Sequence, residues 1–282
     1  MKKRFAMLLA LLLCLTALSC AIAEPVTTET KGYRNLADAG TVITGDGYAI
    51  EIAYCGPEGA RVFGRIYYPE GFDATEKHTT VVLNHGGGVN ADFWDRYYAP
   101  VLAKAGYVCY AFDCRSATDA GRGSFGDPTP DGTCSVATYS EDLNAAMDFM
   151  LAQDYVDRDH FYVMGQSMGG VTVQNVAAQR GEDITGMIVL YGTVSDDNGS
   201  MMPDYEAVKA NPYSNGEVLF VQGAQDANLP IERTLDNMSW YEQCELVYIN
   251  QAFHGFGVQG DRPAQICVAH VIDFIQRTSA GE

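Results

Sequence analysis

The chain has little positive charge: 18 Lys and Arg face 36 Asp and Glu in 282 residues, a formal charge of −18. A surface of that sign repels phosphate backbones and anionic lipid, which argues against nucleic acid as a partner. Histidine is also scarce, five in all and scattered, and there is no Cys-x-x-Cys pair. The sequence therefore offers no structural zinc site, and nothing in it calls for a metal or cofactor. No glycine-rich turn is followed by Lys-Ser or Lys-Thr, so a P-loop is excluded. Beyond the N-terminus no apolar run is long enough to cross a bilayer, and no internal repeat or low-complexity block interrupts the chain.

The first 23 residues differ from the rest. Lys2, Lys3 and Arg4 precede an apolar run from Phe5 to about Leu18, and Ala21-Ile22-Ala23 stands before Glu24-Pro25. This reads as a secretory signal peptide with an A-x-A cleavage site, too short to be a membrane anchor, and implies a secreted or extracytoplasmic protein. A second reading, lipoprotein anchoring, rests on Cys20, although Ala17 stands where a lipobox carries a larger aliphatic residue. Cleavage after Ala23 would leave 259 residues with a formal charge of −21, enough for one large domain with a substantial core. Residues 24–46 are polar and aperiodic and read as a lead-in, followed by a catalytic domain over 47–282.

Within that domain, segments 48–54 and 61–68 alternate and are rich in β-formers, predicting an antiparallel hairpin across Gly56-Pro57-Glu58-Gly59. Strands are then predicted at 80–84, 107–112, 161–164, 184–191, 217–222 and 245–250, with helices at 93–105, 139–153, 167–180, near 231–241 and at 263–277. Strands alternating with helices imply parallel crossovers and a sheet covered on both faces. Residues 115–133 break this rhythm: they are rich in Gly, Asp, Ser and Pro and read as a long loop at the C-terminal end of a strand, the edge where open α/β sheets bind ligands.

The chemistry centres on Gly165-Gln166-Ser167-Met168-Gly169, placed between an apolar strand and a helix. This has the form of a nucleophile elbow, with Ser167 raised on a strained turn and glycines two residues to either side allowing close packing. The amide of Met168, at the helix N-terminus, is placed to stabilise an oxyanion. A serine nucleophile needs a base, and only His254 and His270 follow it in the chain. His270 lies within the last predicted helix, whereas His254 follows the last strand in a loop beside Gly255, so His254 is the candidate base. For the acid, Asp226 follows the strand 217–222 at the same sheet edge; Asp196 and Asp197, after the preceding strand, are the competitors. The turn Asn84-His85-Gly86-Gly87-Gly88 ends another strand and places the Gly87 amide as the second oxyanion donor, with His85 as a brace of that loop. Phe93, Trp94, Tyr97 and Tyr98 have spacing that suits a helix packed on the sheet, ahead of an aromatic substrate pocket.

The order His-Gly-Gly-Gly, Gly-x-Ser-x-Gly, Asp, His on alternating strands and helices resembles the α/β-hydrolase superfamily over about residues 47–282. The elbow, the context of Asp226 and the region after Asp113 look like the serine aminopeptidase, acylglycerol lipase and cinnamoyl esterase group, although Asp113-Cys114-Arg115-Ser116 departs from the Asp-x-x-Gly-x-Gly-x-Ser common there. Many members carry a helical cap before the acid; here residues 192–216 number only 25, so a small cap or none is expected. The resemblance implies a serine hydrolase of carboxylic esters acting through an acyl-enzyme. Its alternatives are a peptidase on short peptides and, in another class, a non-catalytic binding module on the same scaffold.

Six cysteines lie beyond the leader, an even number in a chain read as exported. Cys114 and Cys134 flank the loop 115–133, and a disulfide between them would close about 20 residues, worth on the order of 3 kcal/mol in the chain-entropy model. Cys244 with Cys267 is a second candidate pair, and Cys109 reads as a core filler.

Overall fold

The computed structural model describes residues 39–115, 135–194, 205–256 and 261–281. Its frame is a nine-stranded sheet: β1 (Val42–Gly45), β2 (Tyr48–Tyr54), β3 (Phe63–Pro69), β4 (His78–Asn84), β5 (Val108–Phe112), β6 (Val156–Gln166), β7 (Gly186–Leu190), β8 (Glu217–Gly223) and β9 (Cys244–Ile249). Their spatial order is β1-β2-β3-β5-β4-β6-β7-β8-β9. The first three strands and the β3–β5 pair are antiparallel, and every pairing from β5 through β4 to β9 is parallel. The signal peptide expected over 1–23 lies outside the described residues.

Burial on both faces explains why the central strands read as unbroken apolar runs: every residue of β5 and β7 is buried. Seven helices are described: α1 (Asp92–Tyr97), α2 (Ala99–Lys104), α3 (Val136–Leu151), α4 (Met168–Arg180), α5 (Tyr205–Ala210), α6 (Ile231–Met238) and α7 (Asp261–Ala280). α1, α2 and α7 cover one face, where Trp94, Leu102 and Phe274 meet Leu83, Met164 and Leu219. On the other face, Leu143 and Met147 of α3 and Val173 of α4 meet Val82, Val163 and Phe220. The start of α3 is fixed by a capping box, in which the Ser135 side chain accepts from the Thr138 amide and Thr138 Oγ1 accepts from the Ser135 amide. No described helix is long and apolar enough to cross a membrane.

The structure departs from the sequence reading in two places. Part of the stretch 24–46, expected to be a lead-in, is β1, which pairs with β2 from Val42 opposite Glu51 to Gly45 opposite Tyr48. The local signal was Asp46-Gly47, a two-residue hairpin turn with Gly47 at φ +74°. The single helix expected over 93–105 is two, α1 and α2, broken at Tyr98 (φ −114°, ψ −71°). Pro100 has no amide to donate back along a continuous helix. The fully buried Arg65 of β3 anchors α1 by pairing with Asp92 and Asp95, and Tyr67 donates to the same Asp95. Among the described residues between β7 and β8, the only helix is the six-residue α5.

Candidate active site

β6 runs out at Gln166 and α4 begins at Met168, leaving Ser167 alone at the turn with φ 52° and ψ −122°. A side chain at positive φ is strained, and such strain persists only where the surroundings enforce it. Here they do. The Ser167 amide donates to Leu190 O of β7 at 2.9 Å. The turn also packs too tightly for neighbouring side chains: a Cβ at Gly165 would lie 2.1 Å from Gly169 O, and one at Gly169 would lie 2.3 Å from Asn84 O. The glycines thus let the elbow touch both its own helix and the end of β4.

Two other strand ends deliver the partners. After β9, His254 turns back so that its Nε2 lies 2.9 Å from Ser167 Oγ. After β8, Asp226 places Oδ2 2.8 Å from His254 Nδ1. Burial alone would raise the Asp226 carboxyl, but the His254 bond and the amides of Leu229 and Asn228 outweigh it and hold the group below the ordinary carboxylate range. Both of those amides donate to Oδ1, at 2.9 Å each. The Asp226 side chain is fully buried, whereas that of His254 keeps 22% exposure. The Tyr191 ring stands edge-on to the imidazole, 5.0 Å between centroids.

The glycine turn after β4 lies against the elbow. A Cβ on Gly87 would meet Met168 Cε at 3.6 Å, and neither the Gly87 nor the Met168 amide donates to another backbone group among the described residues. His85 is fully buried and braces this turn. Its Nε2 accepts from the Cys114 amide at 2.8 Å, so Nδ1 carries the proton and donates to Gly86 O at 2.8 Å. His270 is exposed on α7 and takes no part. Asp196 and Asp197 lie outside the described residues.

Beside Ser167 opens a cavity of about 240 Å³, lined by Val136, Met168, Val171, Thr193, Asn228, Leu229 and His254. Sequence reasoning missed Val136, Val171, Thr193, Asn228 and Leu229. Asn228 and Leu229 follow Asp226 closely enough to have been found from the acid loop; the others meet only through the fold. Phe93, Trp94 and Tyr98 are core residues and do not line this space. The described residues hold no cluster of three or more His, Cys, Asp or Glu able to bind a metal ion.

The loop 115–133 is described only at Arg115, which is held at its base: the amide and Nε bind Asp142 at 2.7 and 2.6 Å. The remainder, with Cys134, lies outside the described residues. Among those described, no cysteines are joined. Cys244 and Cys267 face opposite sides of the sheet, which rules out the pairing suggested for them. The Cys244 thiol turns to Met238 O at 3.5 Å, while burial pushes Cys267 up to about 12. Cys109 is fully buried in the core, as expected.

Comparison with known proteins agrees with this architecture. A family model described as alpha/beta hydrolase fold matches residues 79–216. Est1E from Butyrivibrio proteoclasticus, solved with ferulic acid bound, superimposes with a TM-score of 0.64 at 19% identity over 81% of this chain and 99% of its own. Porphyromonas gingivalis dipeptidyl peptidase 4 gives 0.62 at 16% identity, over 82% of this chain and 35% of its own. In sequence, the uncharacterized protein YcjY of Escherichia coli (strain K12) is 29% identical over 176 residues, 59% of this chain; the match spans about half of YcjY, 54%. The family match and these superpositions together show the alpha/beta hydrolase fold.

Proposed function

We propose that the chain is a serine hydrolase of carboxylic esters with a small, neutral acyl group. The observation that carries this reading is the relay from Ser167 Oγ through the His254 ring to Asp226, with contacts of 2.9 and 2.8 Å. Three separate strand ends supply its members, which local sequence alone would not bring together. Ser167 Oγ attacks the acyl carbon while His254 Nε2 takes its proton, and Asp226 holds the imidazole with Nδ1 protonated. The amides of Gly87 and Met168 receive the oxyanion. The imidazolium then protonates the leaving alcohol, and water, activated by the same histidine, releases the acid and frees Ser167.

The acyl side is supported by the cavity. The described part of the cavity, about 240 Å³, has room for a short acyl chain. Its walls are Val136, Met168, Val171 and Leu229 with the uncharged Thr193 and Asn228. Export is part of the proposal and rests on the leader-like residues 1–23, with Cys20 as an alternative lipid anchor.

A matched pair tests the function: p-nitrophenyl butyrate and butyryl p-nitroanilide, with the purified chain and Ser167→Ala. Ester hydrolysis that far exceeds anilide hydrolysis and disappears in Ser167→Ala is expected. Faster anilide cleavage would favour a peptidase, and undiminished ester turnover in Ser167→Ala would contradict the mechanism.

A further inference from the structure

Behind the site lies a buried polar chain that the mechanism above does not use. Gln222 sits at the end of β8 with 1% exposure, and both ends of its amide are engaged. Nε2 donates to Asp226 Oδ2 at 3.1 Å and to Leu229 O at 2.8 Å, while Oε1 accepts from Thr234 Oγ1 at 3.2 Å. Leu229 O can only accept, so the amide orientation is fixed by chemistry. Thr234, on α6, lies 3.3 Å from the hydroxyl of Thr193. Because the Thr234 proton is spent on Gln222, Thr193 is the donor in that contact. The result is a directed series of donors from Thr193, on the cavity wall, through Thr234 and Gln222 to Asp226, the two threonines being 2% exposed.

We infer that Gln222 is a positioning residue for the triad acid: it fixes the plane of the Asp226 carboxylate, tempers the charge on Oδ2, and couples that oxygen to the acyl-pocket wall at Thr193. The inference rests on the serine-hydrolase reading. Gln222 shares Oδ2 with His254 Nδ1. Loss of its N–H concentrates charge on that oxygen and makes His254 hold its proton to higher pH. Among the described residues, the titratable groups acting on Asp226 are His254, from the loop after β9, and Tyr191, at the end of β7, with Cys267 of α7 behind the tyrosine. β8 and α6 contribute the neutral Gln222 and Thr234. An amide donor is therefore the feature of this shell that a substitution can remove without touching Ser167, His254 or Asp226.

The test is the pH dependence of the second-order rate at which a fluorophosphonate modifies Ser167, because that rate reads the base without requiring the natural substrate. It is measured on the full chain for the native protein, Gln222→Met and Gln222→Glu, with melting temperatures alongside. The midpoint of the acid limb should move upward in both variants. The larger move, about one unit or more, is expected for Gln222→Glu, where a second carboxylate adjoins Asp226. Midpoints that coincide with the native one in both variants overturn the inference, even if the plateau rate falls. Should neither variant fold, Thr234→Val and Thr234→Ser take over. A plateau lowered several-fold in Thr234→Val and restored in Thr234→Ser supports the chain, and a native plateau in Thr234→Val overturns it. If the native protein is not modified at Ser167, the serine-hydrolase reading fails and this inference with it; native modification with unmoved variants defeats the inference alone.

Discussion

Replacing Asp226 with Asn removes one charge and keeps the shape of the side chain, and the surrounding hydrogen bonds dictate how the amide must sit. Oδ1 accepts from the amides of Asn228 and Leu229, two donors that cannot reverse. The Asn oxygen is therefore confined to that position, and its NH2 takes the place of Oδ2. There it faces His254 Nδ1 and Gln222 Nε2. Gln222 can turn its oxygen toward the new donor only by giving up its bond to Leu229 O. His254 must then accept at Nδ1 and carry its proton on Nε2, against Ser167 Oγ, where it can no longer act as a base. A tautomer swap of this kind in a serine-protease triad costs about ten-thousand-fold in turnover, about 5.5 kcal/mol of barrier. The assay is steady-state hydrolysis of p-nitrophenyl butyrate by purified Asp226→Asn, with the active-site concentration determined independently. Turnover within about tenfold of the native enzyme would refute the reasoning, since the acid would then lie elsewhere. Asp197→Asn should leave turnover near native; greater damage there than in Asp226→Asn would move the acid to the end of β7.

Three further outcomes follow from the same geometry. Gly169→Ala drives a methyl to 2.3 Å from Asn84 O and 2.5 Å from His85 O, so about 1–3 kcal/mol of stability and most activity should be lost, read by denaturant titration; native stability would show the elbow to be looser than described. Because the folded-state pKa of Asp226 is depressed, its contribution to stability is present above the ordinary carboxylate pKa and lost as pH falls through the folded value. The stability gap between native protein and Asp226→Asn should accordingly be wide near about pH 7 and narrow toward about pH 3; a gap that widens on acidification would contradict the sign. Val171→Phe fills the cavity and should shift preference from p-nitrophenyl butyrate toward the acetate, whereas an unchanged ratio would place the acyl group elsewhere.

The fold was legible where one cause dominates. The apolar runs of β4 to β8 and the turn glycines identified the parallel sheet, and the elbow identified Ser167. His254 and Asp226 were candidates from chain order and position at one sheet edge, because a parallel sheet collects the loops after its strands on the same side, and the structure brings His254 within hydrogen-bonding reach of both Ser167 and Asp226. What stayed hidden depends on tertiary contact. Gln222, Thr234 and Thr193 come from β8, α6 and the end of β7, and nothing in their local sequence announces a connected chain. Cys244 and Cys267 looked matched by their elements, yet the pleat of β9 turns Cys244 to the face opposite the one α7 covers. The break at Tyr98 was readable from Pro100, and β1 from Asp46-Gly47, but composition around both pointed the other way.

Ser167 as the proposed nucleophile is tested by treating the purified native chain with a fluorophosphonate and mapping the adduct by peptide mass spectrometry. A single adduct on Ser167, absent in Ser167→Ala and strongly diminished in His254→Ala, is the predicted result. An adduct on another residue, or ester hydrolysis by a chain that Ser167→Ala leaves fully active, would contradict it.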